Sequence, residues 1–191
     1  MYILSRLAPA PWTPAVPLDL SRLCVLLVDD SLYMRRIVRS LLNGFGVRNV
    51  LEAEDGAAAL EVFNQQPVDV IITDWVMPVF DGLELTAAVR NPKSSQSPYT
   101  PIIMLSGYTE RSRVVNARDS GVTEFLCKPI SAKQLYLRLA NCIENPRSFV
   151  RTQTFFGPDR RRFIHPHYSG SMRREQDANN DEFDAIESES A

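Results

Sequence analysis

The chain has 191 residues, enough for one domain with extensions or at most two small domains. Its 21 Lys and Arg stand against 23 Asp and Glu, a formal net charge of -2, and 45% of its residues are hydrophobic. This excludes a chain that is basic throughout and one that is globally disordered.

Residues 1–21 hold Pro9, Pro11, Pro14 and Pro17. Proline at this density blocks helix and sheet ladders alike, and there is no continuous apolar stretch behind a basic start, so this is read as an extended leader and not a signal peptide. Leu23 to Val28 is an unbroken apolar run, the mark of a strand covered on both faces. Ser31 is placed to cap a helix. Met34, Ile37, Val38, Leu41 and Leu42 follow at helical spacing, Arg35, Arg36 and Arg39 fall on the wet face, and Gly44 or Gly46 closes the helix. Val50 to Ala53 reads as a strand, Gly56 to Gln65 as a helix stopped by Pro67, Val68 to Thr73 as a strand and Gly82 to Asn91 as a helix. After a polar linker come a strand at Ile102 to Leu105, a weakly amphipathic helix from about Glu110 to Asp119, a strand at Glu124 to Cys127 and a last helix at Ala132 to Glu144.

The packed domain is therefore expected at residues 22–144, with a tail at 145–191. From Asn145 to Arg174 seven arginines meet one acid, Asp159; from Glu175 onward seven acids meet no basic residue. Such segregated blocks read as a solvated tail. Cys24, Cys127 and Cys142 form no C-x-x-C pair, which reads as reduced thiols in a cytoplasmic protein. No apolar run approaches the roughly 18 residues of a membrane span, and the only histidines, His165 and His167, lie in the tail. Membrane insertion and any mechanism that needs a histidine inside the apolar body are thus excluded.

Strands and helices in strict alternation predict an α/β fold: a doubly wound, five-stranded parallel sheet with five helices, of flavodoxin-like order 2-1-3-4-5. The functional crevice of such a sheet lies at the carboxyl ends of strands 1 and 3, where the winding reverses. There strand 1 ends in Asp29-Asp30, strand 3 in Asp74, strand 4 in Ser106 and strand 5 in Lys128. Converging carboxylates repel one another unless a cation joins them, and an oxygen-only site with few protein ligands suits Mg²⁺. With a lysine and a hydroxyl alongside, the set fits phosphoryl chemistry at a carboxylate.

Four stretches make the pattern specific: L-L-V-D-D-S at 26–31, D-W-V-M-P-V-F-D-G at 74–82, I-M-L-S-G at 103–107 and F-L-C-K-P at 125–129. In this order and spacing they resemble the receiver domain of two-component response regulators. M-R-R-I-V-R-S-L-L at 34–42 and E-A-E-D-G at 52–56 resemble its CheY-like, single-domain type in particular.

The resemblance implies that Asp74 is the phosphorylated residue. It implies that Asp30, Asp74 and the main-chain carbonyl of Val76 bind Mg²⁺, with Asp29 reaching it through water. Ser106 and Lys128 would meet the phosphoryl group, Phe125 would be the aromatic switch residue, and the Lys128-Pro129 step is often cis in the family. The partners implied are a sensor histidine kinase or phosphotransfer protein and a downstream protein of unknown identity, with the kinase docking on the first helix and the loop after strand 5. The protein would be a monomer or a phosphorylation-dependent dimer. It would be no enzyme beyond self-catalysed phosphotransfer and dephosphorylation, and it would switch the surface made by the last two helices and strand 5. A phosphate sink or shuttle with no output of its own is the alternative.

Other readings fit less well. An aspartate-nucleophile phosphatase needs an acid two positions after the nucleophile, where Val76 stands, and Asp29-Asp30 would repel a flavin phosphate. Arginines alternating with Phe149, Phe155, Phe156 and Phe163 would also suit a docking peptide, for a partner or for the chain's own acidic site. They are a nucleic-acid footprint too, but the tail is short for a DNA-binding output domain and lacks helix-turn-helix periodicity. Val76 and Tyr108, two residues after Asp74 and Ser106, are bulky and not acidic, which predicts slow self-dephosphorylation.

Overall fold

The computed structural model describes residues 18–107, 120–152 and 155–159. In chain order the elements are β1 (Cys24–Val28), α1 (Leu32–Gly44), β2 (Asn49–Ala53), α2 (Gly56–Gln65), β3 (Val70–Asp74), α3 (Gly82–Arg90), β4 (Ile102–Ser106), β5 (Glu124–Cys127), α4 (Ala132–Glu144), β6 (Phe149–Arg151) and β7 (Phe156–Pro158). The helix expected near 110–119, Tyr108, the leader to residue 17 and the tail from 160 lie outside the described residues.

The first five strands pair in parallel in the order β2-β1-β3-β4-β5, as expected. Successive side chains of a strand point to opposite faces, so the apolar run of β1 feeds two cores. Val25 and Leu27 join Val38 and Leu42 of α1 and Leu135 and Leu139 of α4. Leu26 and Val28 join Ala59 and Phe63 of α2 and Leu85 and Val89 of α3. β1, β3 and β4 are buried along their whole length. Burying a Leu or Ile contributes roughly 1.5–3 kcal/mol, so the central strands form a firm base for whatever stands at their ends.

Side-chain caps start each helix. Ser31 accepts from the Met34 N–H, Asp55 from Ala58 and Ser131 from Gln134. Asp81 and Glu84 form a reciprocal capping box on α3. Gly46 lies at φ +95°, the left-handed conformation that turns the chain after α1. β3 starts two residues later than expected: Asp69 leaves the ladder, and its carboxylate accepts from the Cys24 N–H at 2.8 Å. Arg35 departs from the wet face expected for it. Its side chain is 13% exposed and pairs with Glu52 at 3.2 Å, because β2 presents a carboxylate beneath α1. Cys24 and Cys142 are buried, Cys127 is half-buried and none is disulfide-bonded. Among the described residues no helix is long and apolar enough to cross a membrane.

Past Glu144 the chain does not leave the domain at once. β6 and β7 pair antiparallel and fold back against it. Phe149 and Phe156 pack on Tyr99, in the segment that leads into β4, at ring-centroid distances of 4.9 and 5.3 Å.

Candidate functional site at the carboxyl ends of the strands

The ends of β1, β3, β4 and β5 bring most of the expected residues together. Asp29, Asp30 and Asp74 each offer a carboxylate oxygen, and these atoms lie within 4.8 Å of one another. Asp29 and Asp74 are buried and Asp30 is exposed. The Lys128 ammonium bridges two of the acids, with Nζ at 3.0 Å from Asp74 Oδ1 and 3.2 Å from Asp29 Oδ2.

Local structure fixes each group. Asp29 Oδ1 accepts from the Ser31 N–H at 2.9 Å, and its carbonyl accepts from Arg35 Nη1 at 2.7 Å. Asp74 is the last residue of β3, opposite Leu105, and its Oδ1 also accepts from the Trp75 N–H at 2.9 Å. Its carbonyl accepts from Thr73 Oγ1 at 2.9 Å. Ser106 closes β4, is buried, and accepts at its carbonyl from the Lys128 N–H at 2.7 Å. The Lys128-Pro129 peptide is cis.

Burial raises the Asp74 carboxyl above its ordinary value; the Asp29 charge adds to this, while Lys128 and the Trp75 N–H oppose it. Burial works against the Lys128 ammonium, but hydrogen bonds and charge from Asp74 and Asp29 outweigh it and hold its pKa above the usual value. The result is a protonated amine shared by two acids, beside a third acid open to solvent. An all-oxygen cluster of this kind fits a hard divalent cation.

Val76 and Phe125 stand at the margin. The Val76 side chain is 52% exposed in the loop after Asp74. Phe125 is half-buried on β5 and packs edge to face on Trp75. Three contributors carry weaker sequence signals. Arg35 holds the Asp29 carbonyl, which helical phase alone does not show. Trp75 both braces Asp74 and receives Phe125; its place directly after the acid is the readable sign. Gly82 lies against the Asp74 carbonyl, where a Cβ would come within 2.2 Å of that oxygen, so α3 can start this close to β3 because the residue has no side chain.

Residues 25–140 match the model of the response regulator receiver domain. Chemotaxis protein CheY of Pseudomonas aeruginosa is 33% identical over 120 residues, 63% of this chain and 95% of that protein. CheY-3 of Vibrio cholerae is likewise 33% identical, over 63% of this chain and 91% of its own. The solved structure of Vibrio cholerae CheY4 superposes with a TM-score of 0.57 at 35% identity, covering 62% of this chain and 97% of that one.

Proposed function

The chain belongs to the response regulator receiver domain family, proteins of phosphorelay signalling, and from that premise we propose that it is a switch in which Asp74 accepts a phosphoryl group from a histidine kinase or phosphotransfer protein. The observation that carries this reading is the Lys128 ammonium set between Asp74 and Asp29, with Asp30 completing an acid cluster at the switch point of the sheet.

An Asp74 carboxylate oxygen attacks the phosphorus of the donor's phosphohistidine. The new O–P bond forms as the N–P bond breaks, and the departing imidazole nitrogen takes a proton from solvent. The Trp75 N–H holds one oxygen in place, and Lys128 meets the charge that gathers on the transferred group. Asp30, Asp74 and the Val76 carbonyl would hold Mg²⁺ directly, and Asp29 through water. Bound there, the ion supplies the positive charge that lets an anionic acceptor approach an anionic donor.

The acyl phosphate brings close to two negative charges to a site balanced around one amine. Lys128 shifts toward it, the Ser106 hydroxyl follows as donor, and Phe125 repacks. The face made by the chain after β4, by β5 and by α4 then changes for a downstream protein. The protein converts no substrate other than its own phosphorylated side chain, and it works in the cytoplasm.

Phosphotransfer profiling against a panel of histidine kinases tests this. Wild type is expected to take label from a subset within minutes while Asp74→Asn takes none; equal labelling of the two proteins overturns the assignment.

A further inference from the structure

Residues 145–159 contribute two features that the acceptor site does not use. Glu124, the first residue of β5, has a fully buried side chain. Its partners include Arg138 Nη1 at 2.9 Å and Asn141 Nδ2 at 2.7 Å from α4, and Arg147 Nη2 at 3.0 Å from the chain beyond α4. Arg90, at the end of α3, is also buried and among the described residues bonds to carbonyl and hydroxyl oxygens: the carbonyls of Gly121 at 2.9 Å, Pro98 at 2.7 Å and Thr100 at 2.8 Å, and Thr123 Oγ1 at 3.4 Å. The Phe149 ring covers its guanidinium at 5.1 Å. Gly157 lies so close to Gly121 that a Cβ on it would sit 3.0 Å from the Gly121 Cα. The returning chain therefore meets the first residue of β5 through Arg147, the turn before it through Gly157, and through Phe149 the arginine that bonds Gly121 and Thr123 of that turn.

The other end of β5 is the acceptor site. The strand has only four residues, and Lys128 follows directly, with its N–H on the Ser106 carbonyl. A movement of Lys128 toward a phosphoryl group pulls on a short, close-packed strand whose far end is a buried ionic clamp. Ionic hydrogen bonds in such surroundings depend steeply on geometry.

The part that grips is also weakly held. A ribbon of two three-residue strands is marginal at best by itself, so β6 and β7 depend on their contacts with the domain, the packing on Tyr99 included. It lies beyond residue 140, where the match to the receiver family ends. Elements of this kind open before the core does.

We propose that residues 145–152 and 155–159 form a strap whose docking on Glu124 of β5 and on the Arg90-braced turn before it, through Arg147, Phe149 and Gly157, opposes the phosphorylated arrangement, so that modification of Asp74 loosens the strap. The inference rests on the acceptor reading above. It assigns this chain an output beyond the span of its receiver match: loosening of residues 145–152 and 155–159.

Beryllofluoride with Mg²⁺, a mimic of the acyl phosphate, provides the test on the full chain. Wild type, Arg147→Ala and Phe149→Ala are titrated, with binding read from tryptophan emission and ¹⁹F NMR. Amide exchange is followed at Val150, Phe156 and Asp159. Coupling is reciprocal. Beryllofluoride should speed exchange in the strap of wild type, and both variants should bind it at least about 5-fold more tightly. Affinities that are unchanged or weaker, or strap exchange that beryllofluoride leaves unaltered, overturn the strap. A wild type that binds no beryllofluoride overturns the acceptor reading and the strap with it; binding without coupling overturns the strap alone.

Discussion

The rings of Trp75 and Phe125 meet edge to face, with centroids 6.0 Å apart and planes at 86°. Trp75 also gives its backbone N–H to the Asp74 carboxylate, so a single residue touches both the acid and the aromatic group of β5. Phe125→Ala should uncover the indole and shift its emission to longer wavelength. Phe125 is only half-buried, so the cost in stability should be about 1–3 kcal/mol, below the 3–5 typical of a fully buried Phe→Ala change. Urea unfolding and fluorescence check both; an unaltered midpoint and spectrum would show that the ring contact carries no weight.

Asp74 makes stability depend on pH in a direction opposite to that of an ordinary paired acid. Burial first, then the Asp29 charge, raise its pKa above 3.8. The folded state therefore holds this proton more tightly than the unfolded state, and stability falls as pH climbs from 3.8 through the raised value. Asp74→Asn removes that loss. Its melting temperature should exceed that of wild type at pH 7, and the gap should close below pH 3.8, where both side chains are neutral. Lys128, raised above 10.5 by its acid partners, contributes stability below that pH and loses it as pH rises through the folded value, outside this window. A variant that melts below wild type at pH 7 would contradict the sign.

Gly82 has no room for a side chain. A Cβ there would lie 2.2 Å from the Asp74 carbonyl oxygen, and that neighbour is backbone. Gly82→Ala should destabilise the fold by about 1–3 kcal/mol, as overpacking does, and should slow acceptance at Asp74 by moving β3. Unchanged stability and unchanged labelling would speak against a close approach.

Much of this was legible in the residues, for physical reasons. The β1 run Leu23 to Val28 reads as a doubly covered strand, and Ser31 stands where the first helix needs its cap. The acids and Lys128 follow apolar runs directly, so the fold carries them to one edge. The ribbon was not legible. Phe149–Arg151 and Phe156–Pro158 are too short for any period to show, and the arginines around them suggest solvent until Arg147, just before β6, is seen on Glu124. The inward turn of Arg35 was hidden likewise, since its partner Glu52 comes from a different element.

Val76 is exposed beside Asp74 and offers no polar atom on its side chain to orient a hydrolytic water. Phosphorylated wild type should lose phosphate slowly. Val76→Asn combined with Tyr108→Glu should shorten the half-life of the acyl phosphate in a label-chase experiment. A double variant that decays no faster than its parent would contradict this.

The central claim, that Asp74 is the acceptor, is tested most directly by peptide mapping after incubation with acetyl phosphate and Mg²⁺, the acyl phosphate being trapped by borohydride reduction. The expected result is one modified residue, Asp74, with no trapped product when Mg²⁺ is chelated or when Asp74 is replaced by Asn. Modification at Asp29 or Asp30 instead, or equal modification of Asp74→Asn, would contradict it.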